Sequence, residues 1–404
     1  MYRNLLWAAV GTFAIGTESF VIAGVLEELS RDLAVSPSQA GQLVTAYALV
    51  YALAAPVMAT LTAHWKRQAV MRGAMALFAL GNVAAALAPG FAALLATRLL
   101  LALCAGTFSP VAAAWASAAV ASEQRGRALA FVMAGVAVST VAGVPIATQV
   151  GQAFGWRATF VLVAALALVA LAGLCLPRPA QPAAPPASIA QRVAWLRTPA
   201  VAHALLVTWL TFTGAFCVYT YLAPLMHAVA GPLLTRHLPL VLMAFGAAAV
   251  TGSLTGGHLA DRFGVRFVIP RALLFIAVVY AALGALAGGA GWGAGLSAGA
   301  AVLLLVLWGL VGWQLPAAQQ LNLMQLAPHA APIVLSLQGS ALYLGVSTGA
   351  LVGSLALKFG SPSLLGWIGA GCELAALLVW AAHTPRPLAA PAAARPMRVP
   401  GGSS

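Results

Sequence analysis

Three ionisable side chains stand inside long apolar runs: Glu18, Arg98 and Glu373. A charge at the centre of a membrane helix costs at least about 2.5–3.5 kcal/mol on insertion scales, so each residue kept there carries a functional expectation. Glu18 lies eight residues before Leu26, and Arg98 lies seven residues after Phe91. At 1.5 Å of rise per residue, they stand about 12 Å and about 10 Å from the ends of their runs. Burial favours the neutral form of a carboxyl, whereas a neighbouring guanidinium favours the ionised form. Such a balance suits a group that must take up and release protons. Glu373 sits midway along the last apolar run.

Polar side chains within the runs are candidates for contacting a small molecule, because ligand cavities are mainly apolar with a few polar groups. Tyr47 and Tyr51 stand one helical turn apart. Asn82, Trp115, Gln149, Thr211, Thr213, Tyr219, Gln314, Gln338 and Tyr343 complete the set. His203 and His383 fall near run ends, where interfacial solvation accounts for them. Cys104, Cys175, Cys217 and Cys372 lie within or at the ends of apolar runs and read as small buried hydrophobes, so no metal site or cofactor is expected.

Enzyme chemistry finds no support. Lys66 and Lys358 are the only lysines, and neither follows Gly, so there is no phosphate-binding loop. There is no HExxH. Gly345-Val346-Ser347-Thr348-Gly349 has the letters of a hydrolase elbow, but it lies in an apolar run with no strand before it. Any transport must draw on an existing gradient.

The elements that hold these residues follow from composition. Of 404 residues, 62% are hydrophobic and only 7% are charged. A soluble domain carries about a quarter. Soluble, disordered and nucleic-acid-binding classes are therefore excluded, and a lipid bilayer becomes the expected partner. Twelve runs are long enough to cross it: about 5–26, 40–61, 71–88, 91–119, 128–150, 158–176, 200–222, 238–257, 267–287, 297–322, 332–357 and 363–383. The Pro-rich segment 177–198 reads as a linker between an N-terminal six-helix bundle (1–176) and a C-terminal one (199–384). The tail 385–404 is expected to be disordered and cytoplasmic. The first run is about 22 residues long and carries Glu18, and it lacks a small-x-small cleavage pattern, so a retained helix is expected.

Basic residues orient the chain. With a cytoplasmic N-terminus, 15 of the 20 face inward. Arg31, Arg157, Arg236 and Lys358 face outward, and Arg98 lies within a span. The net charge of +13 is thus topological and requires no nucleic acid. Both termini are expected in the cytoplasm.

Between runs eight and nine stands Gly256-Gly257-His258-Leu259-Ala260-Asp261-Arg262-Phe263-Gly264-Val265-Arg266. It resembles the G-x-L-A-D-R-x-G-R signature of the major facilitator superfamily. Glycines allow two helix ends to approach, and Asp261 with Arg262 and Arg266 can make charge-assisted contacts that latch the cytoplasmic side. The equivalent loop of the first half, Ala59 to Arg67, keeps basic residues but lacks the Asp. In run five, Val141-Ala142-Gly143-Val144-Pro145 is similar to the Gly/Pro-rich antiporter motif of the same superfamily, with fewer glycines than the family pattern. Pro145 removes a helix hydrogen bond and Gly143 permits close packing. Further matches are Gly16-Thr17-Glu18-Ser19-Phe20, Asp32-Leu33, Ala40-Gly41-Gln42-Leu43, Tyr47, Pro56, Arg98 with Gly106, and Gly155-Trp156-Arg157. Together they resemble the twelve-span drug–proton antiporters, nearest the sugar-efflux, purine-efflux and chloramphenicol-resistance permeases.

The resemblance implies an all-α integral membrane protein of twelve transmembrane helices in two six-helix bundles. It implies a mid-membrane cavity between them and alternating access by rocking of the halves. The first and fourth helices of a half both line that cavity, so Glu18 and Arg98 are expected to share its wall and partly neutralise each other. The twelfth helix is peripheral in the resembled fold, which leaves Glu373 open between a partner-facing or snorkelling role and a proton role. Gly345, Gly349 and Gly353 form a stripe suited to close helix packing. The expected activity is proton-coupled export of a small molecule from the cytoplasm by a monomer in the inner membrane. An uptake symporter or facilitator and, further off, a non-transporting receptor are the alternatives.

Overall fold

With no water in the hydrocarbon core, every backbone polar group must be satisfied within its own segment, and these apolar runs therefore fold as helices. The computed structural model describes residues 2–62, 64–120, 124–176, 194–289 and 293–382. Residues 177–193 of the expected linker, and the whole of the expected tail, lie outside the described residues. Twelve segments among the described residues are long and apolar enough to cross a membrane, as the sequence predicts.

The first bundle comprises α1 (Tyr2–Asp32), α2 (Pro37–Leu61), α3 (Arg67–Ala86), α4 (Phe91–Ala118), α5 (Arg125–Val138), α6 (Val144–Phe154) and α7 (Trp156–Cys175). The second comprises α8 (Pro199–Tyr219), α9 (Leu222–Ala230), α10 (Pro232–Arg236), α11 (Leu238–Phe263), α12 (Val265–Ala287), α13 (Ala294–Gly312), α14 (Gln314–Leu326), α15 (Ala331–Phe359) and α16 (Ser363–Ala382). Within the first, α1 packs on α5 and α7, and α3 on α4 and α7. Within the second, α8 packs on α15 and α16, and α12 on α16.

Local chemistry sets the helix ends. Ser36 caps α2: its Oγ accepts from Gln39 N at 3.1 Å, while Ser36 N donates to Gln39 Oε1 at 3.1 Å. Gly264 takes φ +80° between α11 and α12, a left-handed value suited to glycine, so one residue joins the two spans. At the opposite end, Asp32 accepts from Trp156 Nε1 at 2.8 Å and pairs with Arg157, tying α1 to the start of α7.

Two spans are broken. The fifth is α5, a π turn at Ser139–Gly143, then α6. The π turn ends two residues before Pro145, which cannot donate to the carbonyl of Val141. The tenth parts at Trp313 between α13 and α14, where Pro316 leaves the Gly312 carbonyl without its donor. The short helices α9 and α10 are absent from the sequence reading; α9 tucks Leu222, Leu225 and Met226 into the core, and Gly231, at φ +59°, turns the chain into α10.

The halves meet along two seams. On the first, α15 lies against α2. Ser340 Oγ donates to Ala52 O at 3.2 Å, Ser347 Oγ to Thr45 O at 2.9 Å, and Ser354 Oγ to Ser38 O at 2.9 Å. These serines recur every seven residues, two helical turns, so they share one face. The neighbouring face carries the glycine stripe. A Cβ on Gly345 would sit 2.6 Å from Trp209 O, and one on Gly349 2.9 Å from Cys217 N, so only glycine lets α15 lie this close to α8. On the second seam α11 crosses α6 and the π turn, where a Cβ on Gly246 would sit 2.9 Å from Val141 Cα.

Candidate functional site

Glu18 on α1 and Arg98 on α4 form an ion pair, Arg98 Nη1 to Glu18 Oε1, and both side chains are fully buried. Close packing around α1 sets this position: Thr12 Oγ1 donates to Val132 O of α5 at 2.6 Å, and a Cβ on Gly11 would sit 2.8 Å from Phe108 Cε1 of α4. The Arg98 guanidinium lies over the Tyr47 ring, 4.2 Å from its centroid, a favourable contact for a desolvated cation. Tyr47 is fixed in turn by Ser19, hydroxyl to hydroxyl at 3.0 Å. Tyr51 then stacks on Tyr343 of α15, with centroids 3.6 Å apart and planes 16° from parallel. A continuous path therefore runs from Glu18 through Arg98, Tyr47 and Tyr51 into the other half. Neutralising each charge locally makes the pair tolerable in a low dielectric. Glu18 Oε2 and Arg98 Nε and Nη2 have no hydrogen-bond partner among the described residues.

A cavity of about 40 Å³ lies between the halves. Its wall in the second half is aromatic, with Phe216, Tyr219, Phe245, Tyr280, Trp308 and Trp313. The first half contributes Phe20 of α1 and Thr140 of the π turn. Phe20 stands 5.9 Å from Phe216 and edge-on to Tyr219 at 6.2 Å, closing the first-half side. Two residues are about 200° of helix, so Glu18 faces α4 while Phe20 faces the cavity.

Glu373 also lines this cavity and is fully buried. The sequence left it open between a partner-facing or snorkelling role on a peripheral helix and a proton role; the structure turns it inward. The cause is glycine packing. A Cβ on Gly214 of α8 would meet Gly369 O at 2.9 Å and Cys372 Cβ at 3.0 Å, so the bare α-carbon lets α16 approach α8. Gly366 and Gly369 of α16 face Gly284 and Tyr280 of α12. Glu373 follows these glycines at i+7 and i+4, hence on the same face. That spacing was the signal available in the sequence.

The remaining sequence candidates are spread more widely. Thr211 and Tyr219 line the cavity. Tyr47, Tyr51 and Tyr343 belong to the path beside it. Asn82 is buried in the first bundle, its Nδ2 donating to Phe78 O at 2.9 Å, and Trp115 is buried there too. Thr213 bonds Thr348 at 2.7 Å in the contact of α8 with α15. Gln338 Nε2 donates to Pro316 O at 3.5 Å, Gln314 lies against Gly256, and Gln149 is exposed. Gly143 of the π turn packs on Phe13 and Thr17 of α1, and Pro145 opens α6.

In the loop motif, Gly257 stays helical, Gly264 makes the turn, and Asp261, Arg262 and Arg266 are exposed. Asp261 forms no ion pair among the described residues, and Arg262 lies 5.2 Å over the Phe263 ring. The latch contacts expected of Asp261 are thus not made among the described residues. No group of three metal-ligating side chains occurs among the described residues.

The chain is similar to known transporters. The uncharacterized MFS-type transporter YbcL of Bacillus subtilis (strain 168) is 31% identical over 363 residues, which cover 90% of each chain. The inner membrane transport protein YdhP of Escherichia coli (strain K12) is 32% identical over 389 residues, covering 95% of this chain and 96% of that one. Among solved structures, a bacterial homolog of the human lysosomal transporter Spinster, inward-facing and unoccupied, superposes with a TM-score of 0.72 at 16% identity over 94% of this chain and 95% of that one. The xylose transporter XylE from E. coli, partially occluded and inward open, gives 0.70 at 16% identity over 95% and 99%. At such identity the solved structures show a shared fold. The Major Facilitator Superfamily model matches residues 8–331. Twelve spans in two bundles, this family match and relatives aligned over nine-tenths or more of their length lead to one conclusion: the chain belongs to the Major Facilitator Superfamily and is a multi-pass membrane transporter.

Proposed function

We propose that the protein is an inner-membrane antiporter that admits protons and exports a small molecule by alternating access, with Glu18 as the proton carrier and Arg98 as its counter-charge. The observation that carries this reading is the fully buried Glu18–Arg98 pair at the head of a ring path into the other half. Protonating Glu18 releases Arg98 toward Tyr47 and frees α1. Because Phe20 is two residues on, movement of α1 reaches the cavity wall. The broken fifth span, with Gly143 against α1 and Gly246 against the π turn, is the element on which the halves pivot. Asp261, Arg262 and Arg266, around the Gly264 turn, form the latch that closes the cytoplasmic side in one of the two access states. The basic residues orient both termini to the cytoplasm.

A D-xylose–proton symporter shares this frame at 17% identity, so the same assay must separate export from uptake. A deletion strain challenged with a compound panel identifies the cargo. Proteoliposomes with an imposed pH gradient then report cargo and proton movement together. Wild type is expected to move cargo against the proton flow. Glu18→Gln, which leaves Arg98 without its counter-charge, is expected to melt lower than wild type yet still fold, and to lose gradient-driven movement entirely. Full gradient-driven flux in that variant removes Glu18 from the mechanism, and cargo moving with the protons makes the protein a symporter.

A further inference from the structure

The mechanism above leaves Glu373 unused. Its side chain is fully buried in the cavity wall, and neither carboxyl oxygen has a hydrogen-bond partner among the described residues. Beside it, the fully buried Tyr280 hydroxyl has none either. Thr211 is the polar side chain that approaches the carboxyl. Unlike Glu18, Glu373 makes no ion pair with a cation among the described residues.

What surrounds these two acceptors is aromatic. Tyr280 meets Trp308 edge to face at 5.0 Å, Phe245 lies 4.9 Å from Trp308, and Tyr219 lies 5.7 Å from Phe245. Ring faces carry negative potential and attract cations, most strongly when water is excluded. A buried carboxylate needs a counter-charge and hydrogen-bond donors. A proton meets the first demand alone, and an organic cation meets both. A neutral sugar would satisfy the oxygens but leave the carboxylate without a counter-charge, and a bare metal ion would find too few oxygen ligands. The cavity of about 40 Å³ has room for only a few waters, so a guest enters as α1 and Phe20 move aside. Phe20, on the helix that carries Glu18, closes the first-half side.

We propose that Glu373, Tyr280 and the rings of Tyr219, Phe245 and Trp308 form a binding site for a small alkylammonium ion, the charged group of the cargo. This deepens the export reading by naming the cargo class, and it rests on that reading only for the fate of the bound ion. The binding itself requires neither a gradient nor a direction.

The test measures equilibrium binding of radiolabelled choline, the probe, to the full-length protein in nanodiscs. Its neutral isostere 3,3-dimethylbutan-1-ol serves as competitor. Wild type is expected to bind choline at least tenfold more tightly than the alcohol. Glu373→Gln is expected to elute and melt as wild type does and to lose choline binding tenfold or more. Trp308→Leu, which keeps the carboxyl, is expected to weaken it at least fivefold. Equal affinity for the cation and its neutral isostere overturns the proposal. So does a folded Glu373→Gln protein within twofold of wild type. Should that variant not fold, Trp308→Leu within twofold of wild type does the same. Failure of gradient-driven flux in proteoliposomes, with choline binding intact, counts against the proton-coupled export reading and leaves this site standing.

Discussion

The two halves each bury one glutamate in the membrane, and they treat it in opposite ways. Glu18 is paired with Arg98, whose guanidinium rests on Tyr47. Glu373 lies among aromatic rings with no cation beside it. In a low dielectric the first arrangement is complete as a neutral unit. The second is complete only when something positive arrives, whether a proton or an organic cation. The contrast teaches a division of labour: a carboxyl with a built-in partner suits internal switching, and a carboxyl without one suits a guest.

Removing the partner should give the largest effect. Arg98→Leu strands Glu18 in the core, and breaking a buried pair costs about 3–5 kcal/mol. Thermal unfolding in detergent should show this loss, and the double variant Glu18→Leu/Arg98→Leu should recover most of it. Glu373→Gln should leave stability unchanged or improved in the same assay, because no pair is broken. Equal losses from Arg98→Leu and Glu373→Gln would erase the distinction between the two sites.

A smaller change tests how Glu373 is brought inward. Gly214→Ala places a methyl against Gly369 O and Cys372 Cβ. Overpacking of this kind costs about 1–3 kcal/mol. The expected result is a matching drop in melting stability, with α16 displaced from α8 and fewer cross-links between cysteines placed on the two helices. Smaller again is the ring path between the halves. Tyr343→Leu removes the stack on Tyr51, a contact worth about 0.5–1.5 kcal/mol beyond area burial. Urea-free thermal melts should register that, and flux should slow while choline binding stays near wild type. Smallest is the serine seam: Ser354→Ala removes one hydroxyl donor to Ser38 O, and such bonds average about 0.6 kcal/mol in membrane proteins. A double-mutant cycle with Ser347→Ala should find the two nearly additive.

The twelve spans were legible in the sequence because the bilayer sets a length and a polarity that each span must meet on its own. The Glu18–Arg98 pairing was legible too, through matched depth on two helices expected to be neighbours, but the pair is turned between α1 and α4 and does not share the cavity wall as expected, because Phe20 takes the cavity-facing side of α1. Other features escaped for identifiable reasons. Gln338 and Thr213 are polar residues in apolar runs and so resembled cavity residues, yet they hold helices together through Pro316 O and Thr348. A polar side chain in a span must bond something, and the sequence does not say whether that is cargo or a neighbouring helix. The serine heptad of α15 could have been seen as a period of seven, but its meaning depended on α2 lying opposite. The π turn was visible only as Pro145, which removes one donor without dictating how the backbone responds.

Composition and periodicity alone settled that this chain crosses a membrane twelve times with ionisable groups at matched depth, because solvation by lipid acts on each segment separately. Which way those groups point was decided by contacts between segments distant in sequence. Glu373 shows the reason. Its helix is apolar on every side, so the glycine spacing before it marks a packing face without saying what lies opposite, and it is the bare α-carbons of Gly214 and Gly369 meeting across two helices that turn its carboxyl toward the cavity.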